Sequence, residues 1–134
     1  MKKVIHVLCL ICILILSGCN SQKVDTEKLK DLEFHVLEEE KLPQELKETI
    51  DLKKSKEFKV TYVDGDKLYI IRGYGKQDTG GYSIGINECY LTKDAIYLST
   101  NLIGPDRTTE IPQDPSYPYV ILQLDYIDKN VIFD

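Results

Sequence analysis

The sequence predicts an α+β, mainly β fold, with an amino-terminal amphipathic helix packed on a small antiparallel β-sheet or sandwich of about six strands. Two observations carry this expectation. From Phe58 to the end of the chain the apolar period is two, with β-branched residues and tyrosine dominating. Before Phe58 the period is helical: Leu29, Leu32, Val36 and Leu37 recur at roughly helical spacing, and Leu46 and Ile50 share one face behind Pro43.

Each element follows from local chemistry. Pro43 suits a first helical position, so Gln44 to Lys54 reads as a helix whose Glu45, Lys47, Glu48 and Lys54 face solvent and whose apolar stripe packs on a sheet. Phe58–Val63 and Lys67–Arg72 flank Asp64-Gly65-Asp66, a hairpin in which Asp-Gly supplies the positive φ angles of a tight turn. Tyr82, Ile84 and Ile86 alternate with Ser83, Gly85 and Asn87, and Ile96, Leu98 and Leu102 repeat the pattern in the next strand. Val120, Leu122 and Leu124 line one side of a strand from Pro118, and Val131-Ile132-Phe133 closes the chain after an Asp128-Lys129-Asn130 turn. All nine tyrosines fall between Tyr62 and Tyr126 and tryptophan is absent, so tyrosine is the large residue of the sheets, ring against the strand and hydroxyl at the wet edge.

The amino terminus gives an address. Met1-Lys2-Lys3 precedes an apolar run, Val4 to Leu16, that is too short to span a bilayer and ends in Leu16-Ser17-Gly18-Cys19. This resembles a bacterial lipoprotein signal and implies cleavage after Gly18 and acylation of the Cys19 thiol. The expected organisation is therefore a signal peptide over 1–18, a lipid-anchored flexible tether over 19–30 and one domain over 31–134, on the extracytoplasmic face of the cell membrane. After cleavage, 15 basic side chains stand against 22 acidic ones, a net of −7 that argues against nucleic acid as a partner.

Cys9 and Cys12 lie in the signal and Cys19 is taken by lipid, leaving Cys89 as the one thiol of the domain, expected as a small buried hydrophobe near a strand end. His35 is the one histidine beyond the signal, and no sequence feature places it beside Cys89. Asp64 and Asp66 offer too few oxygens for calcium, so no metal or other cofactor is expected, and the reading is non-enzymatic.

Two loops stand out. Gly73 to Ile84 has four glycines in nine residues, more than a turn demands, and its spacing is not that of a phosphate loop. Glycine there either forms a bulge or sheet corner, or lets a partner's backbone approach closely. The second loop carries Pro105, Pro112, Pro115 and Pro118 with Tyr117 and Tyr119, and its prolines lower the cost of presenting tyrosines. Sequence leaves the isomer of Tyr117–Pro118 open.

Gly73, Thr79-Gly80-Gly81-Tyr82-Ser83-Ile84, Pro105 and Tyr117-Pro118-Tyr119 together resemble the PrcB C-terminal domain family, over about Phe58 to Leu124. A proline often stands just before the threonine in such sequences; here Gln77-Asp78 occupies that place. The resemblance implies an accessory lipoprotein that binds and stabilises or regulates an exported protease, with Thr79, Gly80, Gly81, Tyr82, Tyr117, Pro118 and Tyr119 as partner-binding residues. A looser similarity is to chagasin-type cysteine protease inhibitors, which set a Thr-Gly-aromatic loop beside a Pro-aromatic loop. Two rivals belong to other classes: a cell-envelope small-ligand or glycan-binding lipoprotein whose glycine-rich loop lines a pocket, and a structural spacer.

The anchor reading makes a direct prediction. Cys19→Ser is expected to abolish the acyl-chain mass and to leave the signal uncleaved, so that intact-mass spectrometry finds a precursor starting at Met1 in place of an acylated chain starting at Cys19.

Overall fold

The computed structural model describes residues 26–134; the signal segment, Cys19 and the first part of the tether lie outside them. Eight strands form two four-stranded sheets: β1 (Lys30–Asp31), β2 (His35–Val36), β3 (Glu57–Asp64), β4 (Lys67–Tyr74), β5 (Ser83–Leu91), β6 (Ala95–Ile103), β7 (Tyr119–Asp125) and β8 (Asn130–Phe133). One sheet runs β1-β5-β6-β8 and the other β2-β7-β4-β3. A 3₁₀ turn, Glu39–Lys41, and one helix, α1 (Gln44–Lys53), lie between β2 and β3.

The β3–β4 hairpin forms as the alternation predicts, in register from Glu57↔Tyr74 to Asp64↔Lys67. Gly65, at φ +60°, is the first of two turn residues, and it takes the positive φ alone, not with an aspartate as expected; Asp66 keeps a negative φ, so the turn has the II′ form that matches strand twist. β4 then pairs with β7 from Lys67↔Asp125 to Gly73↔Tyr119, which makes these two the central strands of their sheet.

Both faces of that central pair are covered. Leu68 and Ile70 of β4 and Val120, Leu122 and Leu124 of β7 meet Cys89, Ile96 and Leu98 of the facing sheet. Tyr69, Ile71 and Ile121, on the opposite face, meet Leu42, Leu46 and Ile50 from α1 and the turn before it, with Phe58 of β3. The result is three layers, sheet on sheet with a helix outside, and it explains the unbroken apolar run Leu68–Ile71 within a chain that otherwise alternates. Pro43 sits one place earlier than expected: its ψ of 144° is extended, and its carbonyl accepts from the Leu46 and Lys47 amides at 3.0 and 3.2 Å, so it caps α1 rather than opening it.

Three expectations are corrected. The helical spacing over Leu29 to Leu37 is not a helix, and α1 is preceded by two strands. The Leu32 amide bonds Cys89 O and the Leu37 amide bonds Ile121 O, so the segment crosses from one sheet edge to the other. The four residues of that spacing are dealt to different places: Leu32, with Phe34, to the space between the sheets, Leu37 to the helix side, Leu29 and Val36 to solvent. Pairing with open strand edges overrides a weak period here. The strand total is eight rather than about six, because β1 and β2 are two-residue edge pairings too short to show alternation.

The sheet is also not wholly antiparallel. β8 runs parallel to β6, from Ala95↔Asn130 to Leu98↔Phe133. β7 ends at the end of the sandwich where β6 begins, and residues 126–129 cross there between the sheets, so β8 must leave in the direction of β6. Residues 26–30, assigned by sequence to the tether, lie against the domain: Tyr90 donates its hydroxyl to Thr26 O at 3.4 Å, and the Leu29 amide bonds Leu91 O at 2.8 Å.

Tyrosines behave as predicted. Tyr69 and Tyr90 are buried, while Tyr62 donates to Glu45 and Tyr97 to Asp134. The hydrogen bond to the Asp134 carboxylate, then burial, pushes the Tyr97 hydroxyl up to about 12.

Cys89 is buried, and burial, with the Asp31 charge adding, pushes its thiol from 9.0 to about 11. Two predictions follow from the packing. The unfolded thiol loses its proton first as pH rises, so this group's contribution to stability is full below pH 9 and is lost between about 9 and 11; alkylation of the native thiol should stay slow until that window, as timed mass spectrometry would read. A Cβ on Gly73 would lie 2.1 Å from Cε1 of Phe58, so Gly73→Ala is expected to lower stability by about 1–3 kcal/mol, seen as a lower urea midpoint at unchanged slope.

Candidate functional site

β4 ends, β5 begins, β6 ends and β7 begins at one end of the sandwich, and both sequence-marked loops, 75–82 and 104–118, are therefore neighbours. They are bonded to each other. Gln77 and Ser116 exchange backbone hydrogen bonds at 2.8 and 3.1 Å, the Gly80 amide bonds Pro112 O at 2.9 Å, and Ser116 donates its hydroxyl to Thr79 O at 2.7 Å. At the base of the pair the Tyr74 amide bonds Pro118 O at 3.0 Å. The end of α1 joins them: the Lys76 amide bonds Ser55 O at 3.3 Å, and Lys54 Nζ stands 5.6 Å from the centre of the Tyr117 ring.

Two of the four glycines, Gly80 and Gly81, are accounted for by this interlock. A Cβ on Gly80 would lie 2.9 Å from Cβ of Pro112, and one on Gly81, at φ +83°, would lie 2.7 Å from Cβ of Pro105. The close approach that bare backbone permits is thus taken up by the chain's own prolines. Of the two glycine roles the sequence left open, the self-packed corner is the one realised at Gly80 and Gly81.

The seven residues singled out by sequence divide accordingly. Thr79, Gly80 and Gly81 form the contact with the proline loop, and Thr79 donates its hydroxyl to Gly80 O at 3.2 Å. Tyr82 is half-buried, with its ring reaching toward Gly104. Tyr117 is 37% exposed at the rim. Pro118 and Tyr119 serve the fold: Pro118 through its carbonyl, and Tyr119 by turning onto the helix side, where its hydroxyl donates to Glu39 at 2.8 Å. Burial first, then that carboxylate, pushes the Tyr119 hydroxyl far above its ordinary value. The Tyr117–Pro118 bond is trans, since the described residues hold no cis peptide.

Sequence reasoning missed the partners of these residues. Gln77 and Ser116 carry no local signal because their pairing spans the two loops, and Lys54 and Ser55 arrive from the far end of α1. The loop tip is a built turn: Asp106 accepts from the Thr108 amide at 2.9 Å and the Thr108 hydroxyl at 2.7 Å, which holds its carboxyl below the ordinary value and leaves Arg107 exposed. Beneath the loops, the buried Arg72 binds Glu57 and the Gly73 carbonyl and lies 4.2 Å from the centre of the Tyr74 ring, whose hydroxyl meets Thr100 Oγ1 at 2.6 Å across the sheets. This brace ties β3, β4 and β6 together directly under the loop cluster.

The arrangement suits contact with another surface: a cross-bonded, proline-stiffened rim with Tyr117, Gly81 and Arg107 outward. Cys89 and His35 are in different sheets, the thiol inside the sandwich and the imidazole at an exposed edge. A groove of about 790 Å³ lies at the opposite end of the molecule, between β3 and β8, lined by Lys59, Thr61, Val63, Tyr126, Val131 and Phe133 among others; the glycine-rich loop takes no part in it.

Gly81→Ala is expected to loosen the interlock by about 1–2 kcal/mol, since alanine disfavours this positive φ and its methyl meets Pro105. Hydrogen exchange read by NMR should then quicken at the Gln77, Gly80 and Ser116 amides while the β4 and β7 amides stay protected.

Comparison with known proteins gives one match: residues 68–125 fit the family model described as PrcB C-terminal. No curated protein and no solved structure matches the chain. The matched stretch starts later than the resemblance suggested, omitting β3, and runs from β4 through both loops to the last residue of β7. The core of this β-sandwich, with the interlocked loops at its end, is therefore similar to the PrcB C-terminal family over residues 68–125.

Proposed function

We propose that this protein is a membrane-anchored accessory lipoprotein whose domain docks, without catalysis of its own, onto an exported protease and stabilises or regulates it. The observation that carries the reading is the loop cluster. Two loops distant in sequence are cross-bonded into one rigid rim that leaves Tyr117 outward, and a pre-ordered aromatic loses little entropy on binding. The match of residues 68–125 to the PrcB C-terminal family model supports a place in a protease complex. The acyl group on Cys19 would hold the domain at the extracytoplasmic face.

The small-ligand reading draws less support, because it needs the glycine-rich loop to line a pocket and that loop is closed against its own prolines. Within the rim, Tyr117, Gly81 and Tyr82 are the residues assigned to the contact, and Thr79, Gly80, Pro118 and Tyr119 are assigned to holding its shape.

Affinity capture from detergent-solubilised envelopes, with the lipidated protein as bait, tests the proposal. The native form should recover a protease or protease-like envelope protein, and Tyr117→Ala should weaken the interaction by about 2 kcal/mol, roughly thirtyfold in Kd, with the fold intact. Equal recovery of the same protein by both forms would count against the loop cluster as the site.

A further inference from the structure

The path by which the chain enters the domain fixes which end of the sandwich the anchor can reach. β1 pairs with the last residues of β5, Lys30↔Leu91 and Asp31↔Tyr90, and the next amide, Leu32, bonds Cys89 O, so the chain travels from the end of β5 toward its start. Upstream, Thr26 is held at the Tyr90 hydroxyl, and Lys28 pairs with Asp31 at 3.0 Å and lies 5.1 Å from the Tyr90 ring centre. The chain is therefore fastened near the Leu91 end, beside the turns 64–67, 92–95 and 126–130. The loop cluster is at the other end of β5, where Ser83 begins.

Two lengths give this polarity a scale. Cys19 and Thr26 are seven residues apart, a reach of at most roughly 25 Å even when fully extended. β5 has nine residues, so the loop cluster stands on the order of 30 Å farther along the strand axis than the point of attachment. A tether that short, joined at one end of an elongated sandwich, keeps that end next to the bilayer and gives the loop end the greater height.

We propose that the loop cluster is the membrane-distal end, and that its partner is a soluble protein or ectodomain whose matching surface stands roughly 30 Å or more above the bilayer, not a lipid headgroup or a membrane-embedded segment. This rests on the anchored, docking reading above and specifies the partner for that same site. The net acidity of the domain agrees with it, since such a surface is not drawn flat onto anionic lipid.

The test uses the full-length lipidated protein in phosphatidylcholine vesicles, with a fluorophore on Lys93→Cys at the attachment end or on Asp114→Cys at the loop end, both exposed positions. A nitroxide quencher carried on the lipid headgroup should quench the position-93 probe at least twofold more than the position-114 probe. Equal or inverted quenching overturns the presentation, whatever the capture experiment gives. An intact mass of the native membrane-fraction protein with no acyl chains on Cys19 overturns the anchor and the presentation together. Undiminished capture by Tyr117→Ala with the quenching order intact overturns the partner assignment alone.

Discussion

The two-sided burial of β4 and β7 is the constraint on which the rest of the molecule depends. Each strand faces the second sheet with one set of side chains and α1 with the other, so a single pair of strands belongs to both apolar clusters. Ile70, Ile71 and Leu122 are almost wholly inaccessible to solvent. Such a pair cannot slip in register, because a shift of one residue would exchange its two faces and misplace both clusters at once. The same rigidity fixes where β4 ends and β7 begins, and hence the separation of the two loops that grow from them.

The loop cluster inherits that order. Tyr74 N to Pro118 O continues the β4–β7 ladder by one bond past the sheet, and the Gln77–Ser116 bridge adds a further rung within the loops. The prolines then fill the space that the glycines leave open. A rim built in this way has few conformations to lose, and the Arg72, Tyr74 and Thr100 brace beneath it ties its base to both sheets. The family match spans this unit, from β4 through both loops to the end of β7, which is the portion that a loop-presenting module would need.

Much of this was legible in the sequence. The hairpin at Gly65, the alternation of β5, β6 and β7, and the α1 stripe of Leu46 and Ile50 are local patterns, and the structure realises each. The course of residues 29–37 was not, because Leu29, Leu32, Val36 and Leu37 pair with strand edges that lie far away in the chain, and spacing among four residues carries no information about those edges. The parallel run of β8 was hidden for a related reason, since it follows from which end of the sandwich the Tyr126–Lys129 crossing occupies. At the candidate site, composition marked two loops that the structure brings together, yet it could not tell that Gly80 and Gly81 accommodate Pro112 and Pro105, or that Tyr119 turns onto the helix side while Tyr117 stays at the rim. Alternation at the start of β7 carried part of that signal, for Tyr119, next to Val120, must face away from the side that Val120, Leu122 and Leu124 line.

The central claim is that the interlocked loops, rather than the groove between β3 and β8, meet another protein. Hydrogen exchange of the lipidated protein, alone and bound to the envelope protein it captures, addresses this most directly. The account predicts that slowed exchange on binding is confined to residues 75–82 and 104–118 and the end of α1. Slowed exchange at Lys59–Val63 and Asn130–Phe133, with the two loops unchanged, would contradict it.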